Sequence, residues 1–374
     1  MRIPSHLKTL LIIVIWFGFL AIPFMGIAKS AFLIVILIAG GIFFRAILSV
    51  QIPNRLLSVI HGLKGHTVGG NGRVPLYTVV VLLLIVPIFL NNYYLDVLTL
   101  ALLYALLAVG LNITVGLTGL LDLGYAGFYG IGAYTYALLS TRLGLSFWLG
   151  VPLGGCVAAL FGLLLGIVTL RLRGDYLAIV TLGFVQIVYL VFNNWDRVTN
   201  GPNGILHIRQ PTLGGFLLHQ PIHFYYLALF FLVLTAWMIY RLTQSQIGRA
   251  FCAIREDLFA AEAIGIDTTR MKILAFVLGA GIAGMAGVFF AAKYTFVSPE
   301  SFNFFESVRI LTMVVLGGMG SLFGAILGAF LLTILPEMLR GLDLYRMLIF
   351  GATLVIMMII RPQGLLGNKT DNAI

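Results

Sequence analysis

The sequence predicts an all-α, polytopic transmembrane helical bundle of about 10–12 spans, some short or broken by glycine. Three observations predict it. Hydrophobic residues make up 60% of the chain and charged residues only 10%, whereas a soluble domain carries roughly 25% charge to face water. Mean hydropathy is +1.06, so the chain is solvated by lipid. Apolar runs of the roughly 20 residues needed to cross a hydrocarbon core about 30 Å thick recur from end to end. Stretches such as Val79–Val86 and Ile356–Ile360 are apolar throughout, which excludes the alternation of a membrane barrel.

In chain order the candidate spans are 10–26, 31–48, 74–90, 95–115, 119–141, 147–170, 175–192, 223–240, 273–292, a glycine-interrupted stretch 305–336, and 344–360. Residues 1–73 form an accessory pair of spans and a glycine-containing linker (Gly62, Gly65, Gly69, Gly70, Gly72). Residues 74–367 form the dense core, and 368–374 a C-terminal tail. Arg2 and Lys8 before an apolar run that ends near Gly26-Ile27-Ala28 have the shape of a signal peptide. A second apolar segment follows at once, so the expectation is a retained first helix.

The net charge of +10 flanks the spans and sets topology; it is not a nucleic-acid footprint. Basic residues collect in loops kept on the cytoplasmic side. They gather at Arg45, Arg55, Lys64 and Arg73, at Arg171 and Arg173, and at Arg241, Arg249, Arg255, Arg270 and Lys272. The segment 193–222 is poorer, with Arg197 and Arg209. Both termini are then cytoplasmic, provided that 305–336 crosses twice, broken at Gly317-Gly318-Met319-Gly320. The two cysteines, Cys156 in a span and Cys252 in a basic loop, make no disulfide framework.

Two polar constellations stand out. Asp122 lies within the apolar stretch Leu117–Ala137, where a carboxylate needs a cavity or a partner and is a functional candidate by default. Asn112, Gly124, Tyr125, Gly127 and Tyr129 surround it, and these six are the candidate residues of a translocation pathway. Exposed backbone groups at such a break suit a zwitterion's carboxylate and ammonium; a cap or a structural pair is the other use for Asp122. Asp96, Asp175 and Glu337 fall at span ends and read as caps or interfacial charges. The second constellation is the loop 241–272, which holds two short amphipathic stretches from Gly248 to Gly265 with Gly265 as a helix C-cap. Such a helix inserts into a groove of a soluble partner or lies in the membrane interface. The docking candidates are Arg249, Arg255, Glu256, Asp257, Ala260, Ala261 and Gly265. Gly320, Gly324 and Gly328, four apart, are candidates for close helix packing, like Gly150/Gly154 and Gly162/Gly166.

The sequence carries no Gly-x-x-x-x-Gly-Lys-[Ser/Thr] phosphate loop, no His-Glu-x-x-His and no Gly-x-Ser-x-Gly, so it predicts neither ATP binding nor hydrolytic catalysis by this chain. Pro221 spoils His219 and His223 as a helical metal pair. The expectation is no metal and no cofactor.

The run Gly110–Tyr129 (GLNITVGLTGLLDLGYAGFY) resembles the permeases of branched-chain amino-acid ABC transporters, of the LivM type. So do Leu170–Gly183 (LRLRGDYLAIVTLG), the GPNG turn at Gly201–Gly204, the loop Gly248–Lys272, and Val315–Ser321 (VLGGMGS). The likeness covers roughly 74–367. It implies an importer subunit in a bacterial inner (plasma) membrane, paired with a second related permease. Two cytoplasmic ATP-binding subunits would drive it, and a periplasmic binding protein would deliver leucine, isoleucine or valine. The docking loop departs from the general importer pattern, because Ala260, Ala261 and Gly265 keep the Glu-Ala-Ala-x-x-x-Gly spacing while Phe259 stands at the Glu. Urea and short-chain amide importers have similar permeases, so those are the alternative substrates. An ion-coupled secondary transporter acting alone is the alternative from another class.

Overall fold

A computed structural model describes residues 90–338, apart from 171, 173, 214 and 215, together with 87, 351 and 364–366. The chain divides into two units, Met1–Leu90 and Asn91–Ile374. The accessory spans, the fate of the first helix, the linker, the basic segment 45–73, nearly all of the spans 74–90 and 344–360, and the tail lie outside the described residues.

The described part is helical. α1 (Asn92–Leu111) runs on as a π-helical turn, Asn112–Leu117. Then come α2 (Tyr125–Leu143), α3 (Phe147–Thr169), α4 (Asp175–Asn194) and a short α5 (Asp196–Thr199). α6 (Pro221–Gln244) leads into α7 (Gln246–Glu256) and α8 (Leu258–Ala263). α9 (Thr268–Tyr294), α10 (Phe304–Gly317) and α11 (Leu322–Met338) follow. Among the described residues five helices are long and apolar enough to cross a membrane: α1 with its π turn, α3, α4, α6 and α9.

Two of the expected spans differ in shape. The stretch 119–141 is not one helix. Residues 118–124 are non-helical, and α2 begins only at Tyr125. Leu120, Leu121 and Leu123 keep the segment apolar, so hydropathy alone does not reveal the break. The stretch 305–336 is two helices, α10 and α11, as expected from its glycines. They pack side by side, with Gly324 against the Gly317 carbonyl and Gly328 against Met313 and Gly317. The chain is back beside this turn at 365–366, where Leu365 N–H donates to Leu316 O at 2.9 Å and Leu366 N–H to Gly317 O at 3.0 Å. Gly320 is not part of the α11 packing face; it sits in the turn at φ +82.

α9 is the hub, packed chiefly on α3 and α2 and also on α1. Its sequence Gly279-Ala280-Gly281-Ile282-Ala283-Gly284-Met285-Ala286-Gly287 makes a seam of small residues, so neighbouring backbones approach closely. Gly132 of α2 meets the Gly284 backbone, Gly287 meets Tyr129 O, and a Cβ on Gly162 of α3 would lie 2.6 Å from Ala280 Cβ. Gly150 closes on the Tyr136 ring and Gly154 on Val288, so the four-residue spacings in α3 do serve packing. From Ala101 to Leu111 α1 is apolar and buried on all sides, between α6, α9, α10 and α11, as such a stretch must be. Leu160, Leu164 and Val168 of α3 and Ile179 and Ile187 of α4 face outward instead.

The end of the bundle opposite α7 and α8 is closed by short irregular pieces. Four two-residue strands qualify the all-α expectation. β1 (Ile205–Leu206) pairs antiparallel with β4 (Phe296–Val297), Ile205 opposite Val297, and β2 (Thr212–Leu213) pairs with β3 (Phe216–Leu217). Gly201 and Gly204 of the GPNG turn both take positive φ, where a side chain is strained. Arg209 N–H donates to Ser140 Oγ at 3.0 Å and Tyr136 OH to Arg209 O at 2.7 Å, which pins this segment onto α2.

Candidate functional site

The loop between α6 and α9 is built as a self-capped pair of helices. Ser245 Oγ accepts from Gly248 N–H at 3.3 Å to start α7. Gly248, Phe251 and Ile254, three apart, turn one face of α7 into the bundle. The Asp257 carboxylate starts α8 by accepting from Phe259 N–H at 2.8 Å and Ala260 N–H at 3.1 Å, an N-cap. α8 ends in a Schellman motif on Gly265 at φ +89: Gly265 N–H donates to Glu262 O and Ile266 N–H to Ala261 O, both at 3.0 Å. Thr268 Oγ1 then donates to Glu262 Oε1 at 2.7 Å, tying α8 to the first turn of α9.

This geometry sorts the docking candidates. Arg249, Glu256, Ala260 and Gly265 are exposed, and a Cβ on Gly265 would meet nothing within 4 Å. Ala261 is buried against its own bundle at 2% exposure, and Asp257 is occupied by its cap. Arg255 turns inward, where its Nη1 donates to Gly116 O at 3.0 Å. Phe259, read from the sequence only as a departure from the family pattern, and Ile264, which was not singled out, are the apolar tips of the loop at 66% and 75% exposure. Exposed apolar side chains grouped on a polar segment mark a contact surface. The signal was available, because Phe259 fills the position of the family's Glu.

The pathway candidates gather around residues 112–129, but inside the packing. Asn112 Oδ1 accepts from Gly320 N–H at 2.9 Å, joining the π turn to the α10–α11 turn. Tyr125 OH donates to Gly279 O at 3.2 Å. A Cβ on Gly124 would lie 2.6 Å from Thr181 O, and one on Gly127 2.9 Å from the Phe184 ring. Tyr129 stands edge-on to Phe290 and Phe302. Asp122 is 1% exposed in the 118–124 break, at the α7 end of the bundle and not midway along a helix. Its Oδ1 accepts from Gly124 N–H at 2.8 Å, which shapes the entry to α2, while its Oδ2 is buried without a hydrogen bond. These six residues bind helices together; none lines an open surface of this subunit.

Other ionisable groups lie on the bundle helices away from this site. Arg309 and Glu306 of α10 face Tyr104 of α1, with Arg309 Nη1 donating to Tyr104 OH at 2.8 Å and its guanidinium 4.4 Å over the Tyr104 ring. Arg309 and Glu306 approach each other only to 4.0 Å, with side chains 39% and 18% exposed. Nearer the end that carries β1 and β4, Lys293 pairs with Asp96 at 3.1 Å, so Asp96 is an ion-pair partner and not a cap. Asp175 is the first residue of α4, as a span-end carboxylate should be.

Five helices long and apolar enough to cross a membrane, held by glycine seams, with a capped helix pair at one end, describe a polytopic membrane protein. The chain belongs to the family described as the permease component of the branched-chain amino acid transport system, which matches residues 93–358. It is 45% identical to the high-affinity branched-chain amino acid transport system permease protein LivM of Escherichia coli (strain K12), over 87% of this chain and 80% of that protein. It is 28% identical to the permease protein BraD of Pseudomonas aeruginosa, named for the same kind of system, over 71% of this chain and 91% of the relative. It is also 27% identical, over 72% and 80%, to the autoinducer 2 import system permease protein LsrC of E. coli O9:H4. No solved structure matches it.

Proposed function

We propose that this chain is one of two permease subunits through which an ATP-driven importer carries leucine, isoleucine and valine across a bacterial inner membrane. The observation that carries the reading is 45% identity, over most of both chains, to a high-affinity branched-chain amino acid permease. In this reading the α7–α8 projection is cytoplasmic and seats one of two ATPase subunits, with Phe259 and Ile264 entering its groove. A periplasmic binding protein delivers substrate at the opposite end, where β1, β4 and the GPNG turn lie. Asn112, Asp122 and Tyr125 then act as the joints of the moving helices. The self-capping of α8 supports the docking role, because a partner meets a preformed helix and not a loop it must order.

Purified chain, second permease and ATPase subunits in proteoliposomes, with binding protein outside, should take up leucine only when ATP is present inside. Uptake by this chain alone, driven by a sodium or proton gradient, overturns the reading in favour of a secondary transporter.

A further inference from the structure

Tyr104 lies near the middle of the 26-residue candidate span Asn92–Leu117, so the Arg309 head that touches it is level with the middle of that span. Five residues of helix, roughly 8 Å of rise, already separate Arg309 from the start of α10. A charge at that depth faces a water-filled cavity or a partner, because lipid does not solvate it. Arg309 has five donors, and among the described residues its guanidinium makes one hydrogen bond, to Tyr104. Its side chain is 39% exposed. Phe305, Arg309 and Thr312 share one stripe of α10, at spacings of four and three, and Phe305 at its outer end is 77% exposed. Lys293 and Asp96, by contrast, are closed on one another at 3.1 Å.

We propose that Arg309 and Glu306 form a transient binding site for the α-carboxylate and α-ammonium groups of the transported amino acid, on a water-filled wall of the pathway. Those two ligand groups hang from a single carbon atom, so binding groups set side by side suit both. Arg309 presents planar donors to a carboxylate, and Glu306 presents acceptors to an ammonium. Tyr104 is the positioning residue: its hydroxyl and ring hold the Arg309 head, which stands 4.0 Å from the Glu306 carboxylate and short of a close ion pair. The inference rests on the permease reading above and adds where on this chain the zwitterion is held.

The test uses the assembled complex in nanodiscs, with Cys156→Ser and Cys252→Ser as background and Thr312→Cys as reporter. A neutral, membrane-impermeant sugar methanethiosulfonate should modify Cys at position 312, and millimolar leucine should slow that reaction about threefold or more. 4-Methylpentanoate, which lacks the ammonium, should not slow it. Adding Arg309→Gln should leave the modification and abolish its protection by leucine. In proteoliposomes Arg309→Gln should cut leucine uptake about tenfold or more, as expected for loss of a hydrogen bond to a charged group, while Arg309→Lys retains a measurable part. A residue at position 312 that is inert to the hydrophilic reagent, or protection that survives Arg309→Gln, overturns the proposal while ATP-driven leucine uptake leaves the permease reading standing. If the Arg309 variants do not assemble, accessibility and leucine protection in the Thr312→Cys chain alone decide the matter. A complex that takes up no branched-chain amino acid overturns the permease reading, and this one with it.

Discussion

Gly284 and Gly281 lie one turn apart on α9, and the structure predicts opposite outcomes for alanine at the two. A methyl group at Gly284 would stand 2.5 Å from Ala158 Cβ and 2.6 Å from Gly154 O, both on α3. Ordinary contact begins near 3.4 Å, so α3 must retreat by about 0.8–0.9 Å. A gap of that size forfeits a quarter to a half of each contact's well of roughly 0.1–0.2 kcal/mol, so the many atom pairs of the seam together lose on the order of 1 kcal/mol. That agrees with the usual cost of overpacking, about 1–3 kcal/mol. At Gly281 the same methyl meets Ala159 Cβ and Gly155 O at 3.7 Å, an ordinary fit. Helix preference for alanine over glycine then makes Gly281→Ala neutral or stabilising by up to about 1 kcal/mol. Dodecylsulfate titration of the purified chain in maltoside micelles measures both. The expected gap is about 2 kcal/mol, with Gly284→Ala the weaker protein. If Gly281→Ala is as destabilising as Gly284→Ala, the seam does not hold α9 to α3 in the way described.

At Gly265, φ +89 and open space around the missing Cβ mean that Gly265→Glu costs about 1 kcal/mol of backbone strain and causes no internal clash. Pull-down should therefore recover much less ATPase subunit from membranes with a normal level of the variant, and full recovery with full uptake excludes docking at this loop. Asp122→Asn keeps the oxygen that accepts from Gly124 N–H and should transport normally, whereas Asp122→Ala should lose about 1 kcal/mol of stability with that hydrogen bond; an Asn variant that assembles but does not transport assigns the carboxylate a role beyond shape. A cysteine placed at exposed Asn203 should be labelled from the periplasm and one at Ile264, 75% exposed, from the cytoplasm. Labelling of both from one side breaks the topology.

Most helix bounds were legible because lipid imposes a blunt rule: α3 and α4 begin where the apolar runs begin, at Phe147 and Asp175. The break between α10 and α11 was legible too, since clustered glycines at 317–320 cannot be explained by packing alone. The break at 118–124 was legible only in part: Asp122 and the glycines after it pointed to one, but three leucines keep the segment apolar and its extent has a tertiary cause, with Leu123 N–H donating to Thr181 Oγ1 fifty-eight positions away. Asp122 drew the eye as a lone acid in an apolar run, yet it serves the local turn. Arg309 and Glu306 were overlooked because they stand near the edge of an apolar run, where charges read as interfacial. What gives them their depth is Tyr104, 205 positions away in sequence. The seam on α9 was written plainly as glycines and alanines, but small residues show which neighbour they admit only once that neighbour is in place.

The bond from Arg255 to the Gly116 carbonyl gives the projection a mechanical linkage. Gly116 belongs to the π turn that ends α1, and Asn112 of the same turn holds Gly320, at the bend between α10 and α11. Residues 118–124 lead from that turn straight into α2. Beside the packing of α7 on the bundle, the Arg255 arm thus links the projection to the ends of α1, α2, α10 and α11. A shift of α7 along the bundle either parts the 3.0 Å bond or drags the end of α1 with it.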